Sequence, residues 1–201
     1  MKNFKWGTES FNDKPIHVVL FKSRNKDNQG IEGFKERRMS FITHKSIDEL
    51  TTKFEDFARQ GVIGEMSRMY YSVNARDPKK IYTTLMHFLF DTPDFNLCSI
   101  ESKLAGIAAQ KECAAEKKWM FDFDIPDFGQ VIQFEEDIKR IADDPNNPIA
   151  VEIHHTPHGF AVITSRGFDT RPLYKIWDPA LVGLKRDDLL CCNWIRRLKK
   201  Q

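Results

Sequence analysis

The sequence predicts an α+β fold built on a mainly antiparallel sheet. Segments with the two-residue period of strands alternate with segments of helical period along the whole chain, and polar, turn-rich breaks separate them. Two of the predicted strands are joined by a tight turn, which favours antiparallel pairing. No composition shift, internal repeat or low-complexity segment divides the 201 residues. We therefore expect a single domain over 1–201, comprising a hairpin-plus-helix element (1–65), a core (66–195) and a basic tail (196–201).

The first half of the chain is predicted to contain three strands and three helices. Ser46 and Glu49 have the S-x-x-E spacing of a capping box, and Asp77 followed by Pro78 is typical of the start of a helix. A polar stretch at 23–33, ending in glycines, is typical of a long hairpin loop. The expected strands are 16–21, 38–43 and 69–73, and the expected helices are 46–59, 78–90 and 99–116.

The second half is predicted to contain four strands and two helices. Proline and glycine within 156–159 suit a tight turn, so the strands on either side are expected to form a hairpin. The expected strands are 118–125, 149–155, 160–164 and 188–194, and the expected helices are 135–142 and 171–177.

Composition limits the classes of protein to consider. Hydrophobic residues make up 41% of the chain and charged residues 30%, which favours a folded chain over a disordered one. No apolar run approaches the roughly 20 residues of a membrane span, and residues 1–6 lack the apolar segment of a secretory signal. We therefore expect a cytoplasmic protein with no membrane partner. The four cysteines form no C-x-x-C pair and are expected to be reduced thiols.

One predicted strand carries the strongest chemical signal. Alternation along it places Trp119, Phe121 and Phe123 on one face. Asp122 and Asp124 lie on the other face, with Cβ atoms about 6.6 Å apart, close enough to share one or two divalent cations. A solvent-facing strand surface is the alternative, although aspartate is uncommon in strands.

Three histidines lie near the predicted hairpin turn. His154, His155 and His158 fall within five residues, and no cysteine or acidic residue there completes a spaced set of zinc ligands. Ordinary loop histidines are one interpretation. The other is phosphate contact, because Gly159 lets backbone N–H groups and imidazoles approach an anion at low steric cost.

Further charged residues are candidates for a third acid or for phosphate contacts. Asp178, Asp187 and Asp188 flank or begin the last predicted strand, where isolated acids are ordinarily solvated. The candidates for phosphate contact are Arg171, Lys185 and Arg186. Ordinary surface charge is the alternative for these three residues.

Nucleic-acid contact is also considered for two basic segments. The segment 68–76 combines Tyr70, Tyr71, Asn74 and Arg76, which could bind a single strand by stacking and phosphate contact; a core strand ending in a loop is the alternative. The basic C-terminus could add non-specific phosphate affinity, although such a run is commonly a solvated tail. The chain contains neither G-x-x-x-x-G-K-[ST] nor G-x-G-x-x-G, which removes the main support for a Walker-type ATPase or a dinucleotide-binding protein.

The order of these features resembles the archaeo-eukaryotic primase superfamily, especially its small primase-polymerase-like members in phages and plasmids. The segment 70–76 is similar to the strand and Asn-x-Arg turn that precede the first catalytic motif, and 121–124 is similar to that hydrophobic-Asp-hydrophobic-Asp motif. The segment 155–164 is similar to the second motif, a hairpin with a small-residue turn. The resemblance covers 68–194.

This resemblance implies an RNA-recognition-like, mainly antiparallel sheet with helices packed on one face. It also implies that Asp122 and Asp124 are catalytic ligands of Mg²⁺ or Mn²⁺, and that Asp187 or Asp188 completes the metal set, with Asp178 as a rival. In the second motif the family has a histidine that contacts the incoming nucleotide. Ala161 stands at that position here, so another histidine would take over the contact. The nucleotide contacts implied in this way are His155, His158, Arg76, Arg171 and Lys185.

Three hypotheses on function follow. The first is a metal-dependent nucleotidyltransferase of the DNA primase/polymerase type, which adds nucleotides from nucleoside triphosphates to a 3′-hydroxyl on a single-stranded DNA or RNA template. The second, motivated by Ala161, is a catalytically inactive protein of the same fold that binds nucleic acid or nucleotides. The third is an interaction module for a replication or host protein.

Overall fold

Eight strands and four α-helices make up residues 15–198, the part of the chain that this computed structural model describes. The strands are β1 (His17–Ser23), β2 (Arg37–Thr43), β3 (Met66–Ser72), β4 (Trp119–Phe123), β5 (Val151–Thr156), β6 (Gly159–Thr164), β7 (Val182–Lys185) and β8 (Leu189–Arg196). The helices are α1 (Thr51–Arg59), α2 (Pro78–Asp91), α3 (Ile100–Ala108) and α4 (Phe128–Ile141). Residues 1–6, where no secretory signal is expected, and residues 199–201 of the basic tail lie outside this range.

The strands form two four-stranded antiparallel sheets, which confirms the α+β class. The first sheet has the order β2-β1-β3-β8 and the second the order β5-β6-β4-β7. The expected sheet is divided in two, because β8 returns from the second sheet to pair with β3, and an RNA-recognition-like core stays a prediction. Through the pairing of β3 with β8, the N-terminal hairpin β1–β2 forms a separate sheet with these two strands.

Helices pack against both faces of the first sheet and against one face of the second, in each case through a core of large apolar side chains. In the first sheet, α1 places Phe54 and Phe57 against Phe21 of β1. Helices α2 and α3 cover the other face at one end, where Ile81 and Ile107 contact Ile16 and Val18. In the second sheet, α4 covers the strand face that carries two phenylalanines of β4. The members of these last two clusters are Ile16, Val18, Ile81 and Ile107, and Phe121, Phe123, Phe134 and Ile138.

The alternation predicted for β4 is confirmed. Phe121 and Phe123 are fully buried under α4, and Trp119 is half-buried on the same face. Asp122 is half-buried on the opposite face, and Asp124, directly after the strand, is exposed. The strand therefore anchors two carboxylates to a rigid apolar layer.

The helix start predicted at Asp77 is confirmed, whereas the capping box of Ser46 and Glu49 precedes a 3₁₀ turn, Asp48–Leu50, and α1 begins only at Thr51. The backbone N–H of Ser46 donates to the Glu49 carboxylate at 2.8 Å, and the backbone N–H of Glu49 donates to Ser46 Oγ at 3.4 Å. Asp77 accepts hydrogen bonds from the backbone N–H groups of Lys79 and Lys80.

Several predicted boundaries are wrong for identifiable reasons. The helix predicted over 99–116 ends at Ala108, because the residues that follow it pair with the segment after β3, where the Ala115 N–H donates to the Ala75 carbonyl. Helix α4 begins at Phe128, earlier than expected, because Asp127 caps it. The helix expected over 171–177 is one 3₁₀ turn, Leu173–Lys175.

Two further expectations concern the membrane and the cysteines. Within residues 15–198, no helix has both the length and the apolar character needed to cross a membrane. All four cysteines are free thiols, as predicted: Cys98 is exposed, Cys113 and Cys191 are buried, and Cys192 is half-buried.

Candidate functional site

A cleft of about 460 Å³ lies between the two sheets. This volume is within the range of small-molecule sites. An apolar interface brings the sheets together beside the cleft, with Met120, Ala161 and Ile163 of the second sheet packed against Val73 and Leu190 of the first-sheet side. The two sides of the cleft differ in charge.

One side of the cleft is an acidic wall, defined here as Asp122 of β4, Asp124 directly after β4, and Asp188 directly before β8. Burial raises the pKa of Asp122, and the negative charges of Asp124 and Asp188 raise it further; the nearby Lys185 and His158 oppose this shift. The ionised form of Asp122 is therefore repelled by the charges of Asp124 and Asp188. A divalent cation would offset that repulsion.

The donor chemistry of the acidic wall suits a divalent cation. Mg²⁺ and Mn²⁺ prefer carboxylate oxygens, and Asp122 and Asp124 both line the cleft from the end of one strand. However, no group of three or more His, Cys, Asp and Glu side chains within residues 15–198 is arranged so that it could hold a metal ion. The carboxylates of Asp122 and Asp124 therefore fit a cation by their chemistry, but the described residues place no third ligand beside them.

The opposite side of the cleft is a basic wall, defined here as Lys22, Arg24, Lys26 and Arg68. Lys22 lies on β1, and Arg24 and Lys26 follow at two-residue intervals after it, whereas Arg68 lies on β3. Arg68 is only 5% exposed, and its Nε has no hydrogen-bond partner among the described residues. Cationic side chains in this arrangement suit a phosphate-bearing ligand.

One hydrogen bond joins the two sides of the cleft. Nη2 of Arg68 donates to Nε2 of His158, which lies in the β5–β6 turn, at 3.0 Å. Because a guanidinium can only donate, Nε2 accepts and the imidazole proton is carried by Nδ1. That N–H is a potential donor to an anion.

Neutral side chains form the floor of the cleft. Tyr70, Met120, Ala161 and Cys191 line it between the two walls. Ala161, at the position where the resemblance expects a histidine, is 2% exposed and lies directly across from Asp122 on β6. Burial raises the pKa of Cys191 to about 11, so this thiol stays protonated and is a poor nucleophile.

Of the nine residues that the resemblance assigns to metal or nucleotide contacts, the structure brings five to the cleft and places four elsewhere. Those in the cleft are Asp122, Asp124, Asp188, His158 and Lys185. Those elsewhere are Asp187, Arg76, His155 and Arg171.

Asp187 and Arg76 form a buried ion pair with each other. Nη1 of Arg76 donates to the Asp187 carboxylate at 2.8 Å, and Nδ2 of Asn74 donates to the same carboxylate at 3.1 Å. The Arg76 side chain is 1% exposed and the Asp187 side chain is 7% exposed. They hold the segment after β3 against the segment before β8. Asn74 and Arg76 therefore have the structural role of the alternative interpretation, a core strand ending in a loop. Tyr70, by contrast, lines the cleft.

The remaining candidates lie on other surfaces. His155 packs against Phe160, with ring centroids 4.7 Å apart, on the face of the second sheet that α4 covers. Arg171 is exposed and pairs with Asp169 at 2.7 Å. The rival acid Asp178 accepts a hydrogen bond from the Ala180 N–H in the turn before β7.

The basic wall is the part of the site that sequence reasoning missed. Its signal is the spacing of Lys22 and Arg24, since cations two residues apart lie on one side of an extended chain, whereas Lys26 reaches the cleft from a 3₁₀ turn, Asn25–Asp27. The polar composition of 23–33 predicts a loop, and a loop has no regular period that would place these side chains together. Comparison of the chain with protein-family models, with curated proteins and with solved structures gave no match.

Proposed function

We propose that this chain is a metal-dependent nucleotidyltransferase of the primase/polymerase type, acting in the cleft between the two sheets. The observation that carries the proposal is the opposition of an acidic wall and a basic wall across about 460 Å³. Nucleoside triphosphates present the same two requirements, a bound divalent cation and a polyphosphate. Single-stranded DNA or RNA is the proposed template.

Each wall has a distinct part in the proposed reaction. Asp122 and Asp124 would hold Mg²⁺ or Mn²⁺, and the negative charge of Asp188 on the same wall would favour binding of the cations. When bound, the cations would activate the 3′-hydroxyl and stabilise the leaving pyrophosphate. Arg24 and Arg68 would bind and orient the triphosphate.

His158 would assist the basic wall from the β5–β6 turn. Its Nδ1–H would donate to a phosphate oxygen, while the hydrogen bond from Arg68 to Nε2 fixes this tautomer. Ala161 stands where the resemblance expects a histidine, so His158 would be the imidazole of the site.

The proposal is tested by calorimetric titration of Mn²⁺ with and without a nucleoside triphosphate. We expect binding that tightens with the nucleotide and is lost in the Asp122→Asn, Asp124→Asn double variant, because both oxygen donors then lose their charge. The matched control is Asp91→Asn, Asp94→Asn, since both of these acids are exposed and lie outside the cleft. Loss of Mn²⁺ binding in the control, or none in wild type, would refute the site.

A second candidate is a catalytically inactive protein that binds nucleotides or nucleic acid in the same cleft. The observation in its favour is Ala161, which replaces a polar contact with a buried methyl group. Template-directed nucleotide addition by the wild-type protein, abolished in the Asp122→Asn, Asp124→Asn variant, would favour the enzyme. Nucleotide binding without addition would favour the inactive protein.

A further inference from the structure

A second cavity, of about 410 Å³, lies beside the cleft at the β5–β6 turn. The turn separates the two spaces, because Thr156, Pro157 and His158 line both of them. Among the described residues, those that line this second cavity include no Asp, Glu, Lys or Arg. The cavity therefore suits an uncharged part of a ligand, in contrast to the two charged walls of the cleft.

Three aromatic rings line this cavity. Phe160 is 4% exposed, and its ring centroid lies 4.7 Å from that of His155 and 5.8 Å from that of Phe128. Phe128 and His155 are both exposed, and their rings are within 11° of parallel, with centroids 6.4 Å apart. A planar group can therefore lie parallel to both exposed rings at once.

The start of α4 holds the Phe128 ring at this cavity. Phe128 lies three positions before the buried Val131, on the stripe of the helix that faces the second sheet, yet it is 56% exposed. Asp127 fixes the first residue of the helix, since its carboxylate accepts hydrogen bonds from the backbone N–H groups of Gly129 and Gln130. More than half of a large, well-positioned ring is thus available to a ligand.

The aromatic cavity is continuous with the phosphate-binding side of the cleft. His158 lines both spaces, and its Nε2 lies 3.0 Å from Nη2 of Arg68, a member of the basic wall. A phosphate bound to Arg68 would therefore lie beside the turn. A nucleoside triphosphate has one charged end and one uncharged planar end, which match the basic wall and the aromatic rings on the two sides of this turn.

We infer that the nucleobase of the nucleoside triphosphate stacks on a base subsite formed by Phe128, His155 and Phe160, while its phosphates stay in the cleft and its sugar crosses the β5–β6 turn. This inference rests on the proposed function and adds the binding of the base to it. Every base has a π-face, so a subsite made of stacking rings accepts all four bases. An inorganic polyphosphate has no group that would occupy it.

The test compares Phe128→Leu with Phe90→Leu. Phe90 is 76% exposed, near the end of α2, and lies outside both cavities, so it is a matched control. Calorimetry measures the binding of adenosine triphosphate and of inorganic tripolyphosphate, each with Mn²⁺. We expect Phe128→Leu to weaken adenosine triphosphate binding about tenfold and to leave tripolyphosphate binding unchanged, because only the nucleotide carries a base. Phe90→Leu should change neither.

Two further variants separate stacking from a structural role. Phe128→Trp keeps an aromatic ring and should bind adenosine triphosphate at least as tightly as wild type. His155→Leu removes the second exposed ring without a change in α4, and it should also weaken nucleotide binding alone. His155→Leu keeps the test valid if Phe128→Leu does not fold.

The outcomes distinguish the base subsite from the proposed function. Equal affinity of wild type for adenosine triphosphate and tripolyphosphate would overturn the subsite. Unchanged nucleotide binding in Phe128→Leu, or equal weakening of both ligands with the fold retained, would overturn it as well. If wild type binds adenosine triphosphate in a Phe128-sensitive manner but binds neither Mn²⁺ nor tripolyphosphate, the proposed function fails and the subsite stands.

Discussion

Asp27 holds two guanidinium groups at one edge of the cleft. Its carboxylate accepts hydrogen bonds from Nε and Nη2 of Arg24 at 2.8 and 2.9 Å and from Nη2 of Arg68 at 2.6 Å. Burial alone would raise the pKa of Asp27, but the hydrogen bonds and positive charges of both arginines lower it overall. The ionised carboxylate cancels part of the positive charge of the basic wall.

Replacing Asp27 by asparagine should therefore strengthen anion binding and weaken folding stability. In Asp27→Asn the two guanidinium groups lose their counter-charge, so we expect inorganic tripolyphosphate to bind about tenfold more tightly. The free energy of unfolding should fall by about 3 kcal/mol, because a nearly buried ion pair is broken. Calorimetry and urea unfolding measure the two effects.

The matched control for this prediction is Asp169→Asn, which removes the partner of Arg171 on the open surface. Neither tripolyphosphate binding nor stability should change measurably there. If Asp27→Asn instead weakens tripolyphosphate binding while the fold is kept, Asp27 acts by positioning the two arginines, and charge cancellation is the wrong explanation.

At the scale of elements, Glu65 fastens three segments together. It is 2% exposed and lies between α1 and β3. Its carboxylate accepts hydrogen bonds from Ser23 at the end of β1, from Arg37 at the start of β2, and from the backbone N–H of Val62. Burial would raise the pKa of Glu65, but these hydrogen bonds and the charge of Arg37 lower it overall.

This lowered pKa predicts a pH dependence of stability. Because the folded-state pKa lies below the ordinary value of 4.5, the stabilisation is fully present above about pH 4.5 and is lost as the pH falls through the folded-state pKa. Glu65→Gln should lower the free energy of unfolding by about 2 kcal/mol at pH 7. Its difference from wild type should shrink towards pH 3.

Urea unfolding at a series of pH values measures this difference. Glu55→Gln is the matched control, since Glu55 pairs with Arg59 on the exposed surface of α1 and its loss should change stability little at any pH. A constant difference between Glu65→Gln and wild type from neutral pH to pH 3 would show that the charge of Glu65 contributes nothing.

Local signals explain which elements the sequence could predict. The alternation in β4 and the caps at Ser46 and Asp77 depend on neighbouring residues, so they are visible in the sequence and agree with the structure. Strand β7 was missed because it has four residues and contains Gly183, which gives no alternating pattern. The two-sheet arrangement depends on the pairing of β3 with β8, which are distant in sequence.

The candidate site could be predicted in part for the same reason. Asp122 and Asp124 follow from the alternation of a single strand. The choice between Asp187 and Asp188 could not be made, because it depends on the ion pair of Asp187 with Arg76, which lies 111 positions away along the chain. The basic wall likewise needed Arg68 to be brought beside Arg24 by sheet pairing.

At the scale of the whole molecule, the cleft exists because the two sheets share an apolar interface. Leu190 belongs to β8 of the first sheet and packs with Met120 and Ala161 of the second. Met120 and Ala161 also line the cleft, so the same contacts that join the sheets fix the distance between the acidic and basic walls. Stability and ligand binding should therefore be coupled at this interface.

Truncating Leu190 tests that coupling. Leu190 is 5% exposed, so Leu190→Ala should lower the free energy of unfolding by about 3 kcal/mol and weaken Mn²⁺ and nucleotide binding together. Unfolding should remain a single transition by fluorescence and circular dichroism, as expected if both sheets form one domain. Leu198→Ala, at a residue 76% exposed, is the control and should alter neither property. Two separate transitions, or lost stability with unchanged ligand affinity, would mean that the walls are held in place independently of this interface.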